Sequence, residues 1–192
     1  MAVRLTKGTN TELRKLAPNL KRILIGLGWE ARATRGAAFD LDASIFCLGA
    51  QGMVPSDDYF VFYHQLSSPC GSIKHTGDER VGAKEGDDEA ITIELDRVPT
   101  TIQKMAVAVT IYDGEALRQN FGQVSQAFMR IVDLDTDTEL ARFDLSEDYS
   151  SETAMIFGEV YRHNGEWKFK AVGQGMTGGL EALCRQFGVS VG

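Results

Sequence analysis

Apolar and polar residues alternate along most of this chain. This period of two constrains the fold most, because successive side chains of a strand point to opposite faces. In the segment FDLDASIFCL (39–48), Phe39 and Leu41 share one face, while Asp40 and Asp42 share the other. Further strand segments are predicted at residues 20–29, 59–66, 91–96 and 104–112. The chain is therefore predicted to consist mainly of β-strands.

Two pairs of strand segments are joined by turn sequences and predict hairpins. Segments 127–134 and 139–145 flank the polar sequence DTDT. Segments 153–163 and 166–173 flank Asn164-Gly165, a dipeptide typical of two-residue hairpin turns. Short loops between many strands favour antiparallel pairing, and so many strands favour two packed sheets.

Helical signals are few. Residues 115–122 predict a short helix, and residues 178–188 predict a C-terminal helix that ends at Gly188. Between the strands, residues 67–89 form a long segment without a strand signal, which is typical of a functional loop. We predict an all-β fold: a two-sheet antiparallel β-sandwich with short helices.

Length and composition fit one globular domain over residues 1–192, with 43% hydrophobic and 24% charged residues. The formal net charge of -7 argues against nucleic acid as a partner. The polar N-terminus MAVRLTKGTN lacks the apolar centre of a signal peptide, and no apolar run approaches the roughly 20 residues that cross a bilayer. We therefore expect a cytoplasmic protein.

Eight carboxylates are concentrated in four short stretches, two of which contain glycine. These residues are Asp40, Asp42, Asp57, Asp58, Asp78, Asp87, Asp88 and Glu89. Two like charges about 4 Å apart repel by about 4 kcal/mol at an effective dielectric near 20. Oxygen-only ligands on glycine-rich loops suit calcium, which is the leading hypothesis. One alternative is a solvated rim of ordinary turn aspartates. Another is an enzyme that uses the cluster with a divalent ion on a phosphate-containing or small substrate.

Other motifs carry weaker signals. The sequence DLDTDTE (133–139) resembles the start of an EF-hand loop but lacks its central glycine and flanking helices, so we predict a plain hairpin turn. The histidines His64, His75 and His163 form no HExxH motif. No CxxC motif links the cysteines, which argues against a zinc site.

The chain resembles the TerD-type tellurium-resistance family. The similarity extends from the N-terminus to the last helix and includes GLGW, FDLDAS, SDDYFVFY, HTGD, GDDE, VTIYD, QNFGQV, ARFDLSED, ETAMIFGE and EWKFKAVGQG. It implies a β-sandwich with acidic loops that bind one or two calcium ions. It also implies a non-enzymatic role in bacterial tellurite resistance and stress response. The implied partners are other proteins of the resistance system, including membrane-associated ones.

Carried over to this chain, the resemblance implies a set of metal ligands. The acidic members are Asp40, Asp42, Asp57, Asp58, Asp78, Asp87, Asp88 and Glu89, and the backbone carbonyls of Leu41, Gly82 or Gly86 are expected to complete the coordination. The family's loop commonly reads GDNRTGEGDGDDE, whereas this chain has GDERVGAKEGDDE. Val81, Ala83 and Lys84 remove oxygen ligands or glycine freedom, so one of two ion sites is expected to be weakened.

A second alternative is direct tellurium chemistry through thiols. It requires Cys47, Cys70 or Cys184 to be exposed and to have thiolate character. By the alternation in residues 39–48, Cys47 lies on the apolar face of its strand, which weakens this alternative.

Overall fold

A computed structural model describes residues 1–31, 37–77, 86–145, 147 and 149–191. The predicted ligands Asp78 and Gly82, and the departures Val81, Ala83 and Lys84, lie outside these residues.

Twelve strands are present in the described part of the chain. They are β1 (Val3–Leu5), β2 (Asn10–Glu12), β3 (Arg22–Ala31), β4 (Leu41–Leu48), β5 (Phe60–Val61), β6 (Ile73–His75), β7 (Glu89–Glu94), β8 (Lys104–Ile111), β9 (Val124–Asp133), β10 (Thr138–Asp144), β11 (Ala154–His163) and β12 (Glu166–Met176). The α-helices are α1 (Leu13–Leu16) and α2 (Gly179–Phe187), and 3-10 turns cover Asp57–Tyr59, Leu95–Arg97 and Phe121–Gln123.

The strands form two six-stranded sheets within the described residues. The first sheet has the order β1-β10-β9-β3-β7-β6, and the second has the order β2-β12-β11-β8-β4-β5. Pairing is antiparallel except between β1 and β10. The predicted all-β, two-sheet architecture is therefore confirmed.

The core lies between the sheets and follows the alternation of the strands. In β4, Leu41, Ala43, Ile45 and Cys47 belong to this core. The opposite face of the second sheet carries Phe46 and Phe60, which pack in a separate cluster with Leu183 and Phe187 of α2. Helix α2 therefore covers part of the outer face of the second sheet.

Local turn chemistry explains the predicted hairpin and the C-terminal helix. Asn164 and Gly165 adopt φ values of 52° and 77°, as a two-residue turn between β11 and β12 requires. Gly188 follows α2 with a φ of 76°, a left-handed conformation that glycine adopts without steric cost. Both predictions are confirmed.

Two strand predictions differ from the structure. The segment 59–66 is a strand only at Phe60–Val61, because Phe62 and Gln65 then pair across a tight turn. The Gln65 side chain holds this turn by donating to the carbonyls of Asp58 and Phe60, at 2.8 and 2.9 Å. The segment 67–89 is not strandless, because it contains β6, which pairs with the following strand β7.

The short helix predicted at 115–122 is also wrong. Turns occupy residues 112–118, and Phe121–Gln123 form a 3-10 turn. Asp113 and Arg118 take positive φ values of 50° and 55°, which interrupt helical geometry. The Asn120 side chain then accepts a hydrogen bond from the backbone N–H of Gly122 and caps the 3-10 turn.

Candidate functional site

The acids of the sequence GDDE have three different surroundings. Asp87 is 3% exposed, and its carboxylate accepts two hydrogen bonds from Arg130 of β9. The Nε–Oδ1 and Nη2–Oδ2 distances are 2.8 and 2.7 Å. Arg130 also contacts Glu139 of β10 at 3.2 Å. Such a bidentate pair neutralises a buried carboxylate and aligns it.

Two glycines of β3 make room for this ion pair. A Cβ atom on Gly26 would lie 2.5 Å from Oδ2 of Asp87, and a Cβ atom on Gly28 would lie 2.5 Å from the carbonyl oxygen of Gly86. Because Gly26 and Gly28 of the sequence GLGW have no side chains, the chain at Gly86 and Asp87 packs directly against the backbone of β3.

Asp88 and Glu89 fasten the start of β7 to other strands. Oδ2 of Asp88 accepts the backbone N–H of Trp29 at 2.8 Å, and the Asp88 N–H donates to the carbonyl of Leu27 at 2.8 Å. Oε2 of Glu89 accepts the backbone N–H of Ala43. Because Ala43 belongs to β4 and Glu89 to β7, this carboxylate joins the two sheets.

His75 completes the contacts of Glu89. The backbone N–H of Gly77 donates to Nδ1 of His75 at 2.9 Å, so Nδ1 is the unprotonated nitrogen of a neutral ring. Nε2 then carries the proton and donates to Oε2 of Glu89 at 3.1 Å. Both contacts use Oε2 of Glu89. Neither of these contacts between described residues occupies Oε1, which leaves that oxygen available to a further ligand.

The other predicted ligands lie elsewhere. Asp40 is exposed, and its backbone carbonyl accepts the N–H of Tyr112 at 2.8 Å. Leu41 is buried in the core, Asp42 is half-buried on the outer face of β4, and Gly86 is exposed. Asp57 and Asp58 are exposed, and Oδ1 of Asp57 accepts the N–H of Ser190 at 3.0 Å. Asp57 therefore faces the C-terminal segment.

The structure thus separates the predicted ligands into groups. In the described ranges, no three His, Cys, Asp or Glu side chains are placed to hold a metal ion together. The donor chemistry still fits a hard cation, since Asp88 and Glu89 offer carboxylate oxygens directly after the segment 78–85. A calcium site at this edge therefore requires ligands from that segment, such as Asp78 and Gly82.

A cavity of about 460 Å³ lies beside the N-terminus of α2. Its acidic lining residues are Asp42, Asp113, Glu115 and Glu181, and its rings are those of Tyr63 and Tyr112. Burial, followed by the negative charge of Asp42, raises the pKa of Tyr63.

The three cysteines differ in their surroundings. Burial raises the pKa of Cys47, and burial raises the pKa of Cys184 to about 11. For Cys70, burial opposes ionisation, but hydrogen bonds from Ser68 and Ser72 outweigh it and lower the pKa. Its Sγ lies 2.9 Å from the Ser72 hydroxyl and is half-buried. Thiolate chemistry at neutral pH is thus disfavoured at Cys47 and Cys184.

Residues outside the predicted set complete these sites. Arg130 was missed, although a lone arginine in the apolar sequence AFMRIVDL is a visible signal for a buried ion pair. Thr110 and Asp113, which line the cavity, were also missed. No sequence spacing links them to Asp42, because β4 and β8 become neighbours only through the antiparallel pairing of Asp42 with Thr110.

The fold and these sites define a class: a two-sheet β-sandwich with acidic residues at the edge where the sheets meet. The TerD domain model matches residues 1–187, so the chain belongs to the TerD family of tellurium-resistance and stress-response proteins. It is 56% identical over 190 residues to the tellurium resistance protein TerD of Serratia marcescens, covering 99% of each chain. It is 49% identical over 193 residues to general stress protein 16U of Bacillus subtilis, covering 100% of each chain.

A solved structure supports the fold independently. The homologue of telluride resistance protein TerD from Streptomyces coelicolor A3(2) superposes with a TM-score of 0.64, covering 86% of this chain and 95% of the other. At 24% identity, this likeness concerns the fold alone. None of the helices in the described residues is long and apolar enough to span a membrane.

Proposed function

We propose that this protein binds calcium and acts, without catalysing a reaction, in a tellurite-resistance or stress-response system. The bound ion shapes an acidic surface that a partner protein of the same system recognises. The observation that carries this proposal is the position of Asp88 and Glu89. They follow directly after the segment 78–85, at the edge where β7 of one sheet meets β4 of the other.

The proposed ligand set is narrower than the full list of acids. Asp88, Glu89, Asp78 and Asp42 supply side-chain oxygens, together with Asp40. Backbone carbonyls of Leu41, Gly82 and Gly86 complete the shell. Asp87 is assigned a structural role, since Arg130 occupies both of its oxygens. Asp57 is assigned to the contact with Ser190.

Calcium at this edge offsets repulsion between carboxylates on the two sheets. Glu89 already joins the sheets through Ala43, so a cation that contacts Glu89 acts on both sheets at once. Such a local change of charge is a known way to switch a binding surface. The non-enzymatic part rests on the relatives, whose names describe resistance and stress rather than a reaction.

Calcium titration by calorimetry, combined with thermal melting, tests the proposal. We expect heat of binding and a rise in melting temperature that a chelator reverses, because a ligand that binds only the folded state must stabilise it. Hydrogen exchange across residues 67–89 is expected to slow. Magnesium serves as the matched ion, since it carries the same charge but requires stricter octahedral geometry.

Asp88→Asn is the variant to be compared with the parent in this calcium titration. It is expected to weaken calcium binding about ten-fold or more, because the number of charged ligands sets calcium affinity. Asp96→Asn, which removes an exposed carboxylate paired with Arg14, is the control and is expected to bind like the parent. Absence of heat together with an unchanged melting temperature at millimolar calcium would reject the calcium proposal. Turnover of a phosphate-ester panel would reject the non-enzymatic one.

A further inference from the structure

His75 is a buried histidine that the proposed calcium site does not use as a ligand. Its side chain is 2% exposed, and a buried ring needs partners for both of its nitrogens. The Gly77 N–H donates to Nδ1 at 2.9 Å, and Nε2 lies 3.1 Å from Oε2 of Glu89. Both nitrogens are thus occupied within the protein, so the role of His75 lies in its effect on these neighbours.

The backbone that carries the His75 ring is held by the elements around it. The His75 N–H donates to the carbonyl of Leu66 at 2.8 Å, and His75 pairs with Ile91 of β7. The next N–H along the chain, that of Thr76, donates to the carbonyl of Ala90 at 3.0 Å. A buried side chain on such a rigid element keeps its polar atoms in fixed positions.

Gly77 determines which ring nitrogen of His75 carries the proton. A backbone N–H can only donate, so Nδ1 must accept, and the proton of the uncharged ring lies on Nε2. Nε2 is thereby fixed as a donor toward Glu89. Partners of this kind, one step removed from a metal ion, commonly orient the side chains that bind it.

The two described donors to Glu89 come from different sheets. His75 belongs to β6 of the first sheet, and the Ala43 N–H belongs to β4 of the second. Both donate to Oε2, so a rotation of the carboxylate would break both hydrogen bonds. Neither contact occupies Oε1, and the Glu89 side chain is 19% exposed. One oxygen is therefore engaged by the protein, while the other is left for a cation.

We propose that His75 is a positioning residue of the calcium site: its Nε2–H holds the Glu89 carboxylate in the orientation that presents Oε1 to the ion. This inference rests on the proposed calcium function, in which Glu89 is a ligand. An uncharged imidazole orients the carboxylate without repelling the ion, whereas a lysine or arginine in its place would repel it.

Two substitutions of His75 separate its two hydrogen bonds. His75→Gln places an amide nitrogen near the position of Nε2, so it keeps a donor to Glu89 and loses the acceptor for Gly77. His75→Asn places an amide oxygen near the position of Nδ1, so it keeps the acceptor and is too short to reach Glu89. In calorimetric calcium titrations of the whole chain, we expect His75→Asn to weaken binding about ten-fold or more and His75→Gln to stay within about three-fold of the parent.

His163→Asn is the matched control. It makes the same substitution at an exposed position at the end of β11 and is expected to bind calcium like the parent. Melting curves in buffer with a chelator establish that each variant is folded. Both His75 variants are expected to melt below the parent, because each loses one buried hydrogen bond. Stability therefore falls in both, while calcium affinity falls in only one.

Hydrogen exchange of the Ala43 amide gives a readout that needs no ion. In calcium-free buffer, His75→Asn loosens the Glu89 carboxylate that protects this amide, so its exchange is expected to become about ten-fold faster relative to that of Ser44. Ser44 pairs with Ala108 of β8 and serves as the internal reference on the same strand. His75→Gln is expected to keep the parent ratio.

The possible outcomes separate this inference from the calcium proposal. Equal weakening of calcium binding in both His75 variants would show an effect of ring packing and would overturn the positioning role. Parent-like affinity in His75→Asn would also overturn it, while the calcium site would stand. Absence of binding by the parent would reject the calcium site itself, and an unchanged exchange ratio at Ala43 would then overturn the positioning of Glu89 as well.

Discussion

Asp87, which precedes β7 of the first sheet, and the acids around the α2 cavity have opposite surroundings. Asp87 is buried and receives both of its hydrogen bonds from Arg130. The cavity gathers four acidic residues without a basic residue among its described lining. Asp87 is thus neutralised by a buried arginine, whereas at the cavity Glu181 pairs with the exposed Arg185 and Glu115 accepts the backbone N–H of Gly178. Acidic residues of one chain are thus buried in an ion pair in one place and arranged around an open cavity in another.

The contrast also shows why neighbouring acids in a sequence motif need separate assignment. In GDDE, Asp87 pairs with a distant arginine, Asp88 receives a backbone N–H from β3, and Glu89 joins the sheets. A motif that suggests one ion site therefore holds three different structural roles. Proximity in sequence does not make carboxylates equivalent.

The largest expected effect tests whether Arg130 neutralises the buried carboxylate of Asp87. Arg130→Met leaves Asp87 buried without its counter-charge and is expected to lower the free energy of unfolding by about 3–5 kcal/mol. Arg4→Met is the control, because Arg4 and Asp144 form an exposed pair, 65% and 49% exposed, for which the loss is expected to stay below about 1 kcal/mol. Urea unfolding at neutral pH measures both.

A double variant sharpens this test. Asp87→Asn combined with Arg130→Met removes both charges, so it is expected to unfold at higher urea concentration than Arg130→Met alone. Equal stability of the single and double variants would mean that the loss comes from packing of the arginine stem rather than from an uncompensated carboxylate.

An intermediate effect, a loss of stability at high pH, is expected from Tyr149. This buried residue has carboxylates but no basic side chain among its described partners. Burial, followed by the charge of Glu147, raises its pKa from 10.0 to about 12. Its contribution to stability is therefore fully present below pH 10 and is lost as the pH rises from 10 to about 12. The loss amounts to at most about 2.7 kcal/mol, since one pKa unit corresponds to about 1.4 kcal/mol.

Tyr149→Phe tests this pH dependence. The variant loses the hydrogen bond to the Gly173 carbonyl, so it starts less stable at neutral pH, but its stability is expected to fall less steeply above pH 10. Tyr112→Phe, at an exposed ring, is the control and is expected to follow the parent. Parallel curves for the parent and Tyr149→Phe between pH 9 and pH 12 would contradict the prediction.

The smallest expected effect concerns the cavity. Because the charge of Asp42 contributes to the raised pKa of Tyr63, Asp42→Asn is expected to lower that pKa toward its usual value. Ultraviolet titration of the phenol, with Tyr63→Phe to identify its signal, measures the shift. An unchanged titration curve would contradict this prediction and would mean that burial alone raises the pKa of Tyr63.

Much of the fold could be predicted from the sequence because each strand depends on a local signal. The alternation in β4, the turn at Asn164 and the stop at Gly188 all appeared as expected. The failures occurred where a hydrogen bond from a side chain to the backbone, or an unusual backbone angle, ends or interrupts the element. Gln65 ends β5 by bonding to carbonyls, and Arg118 at positive φ interrupts the predicted helix.

The candidate sites were less predictable than the fold. The acidic residues were visible in the sequence, but their partners were not. Arg130 is 43 positions away from Asp87, and Thr110 reaches Asp42 only across the β4–β8 pairing. Long-range pairing of this kind leaves no periodic trace in the sequence. The metal prediction and its ligand set remain predictions.

The glycines Gly26 and Gly28 of β3 affect how mutational data on this protein are interpreted. A methyl group at Gly26 would displace the Asp87 carboxylate, and one at Gly28 would push against Gly86 and Phe128. Substitutions at these glycines are therefore expected to disturb the acidic motif as directly as substitutions within it, although neither glycine carries a charge. A mutational map interpreted from the sequence alone would assign such substitutions to a second, independent region.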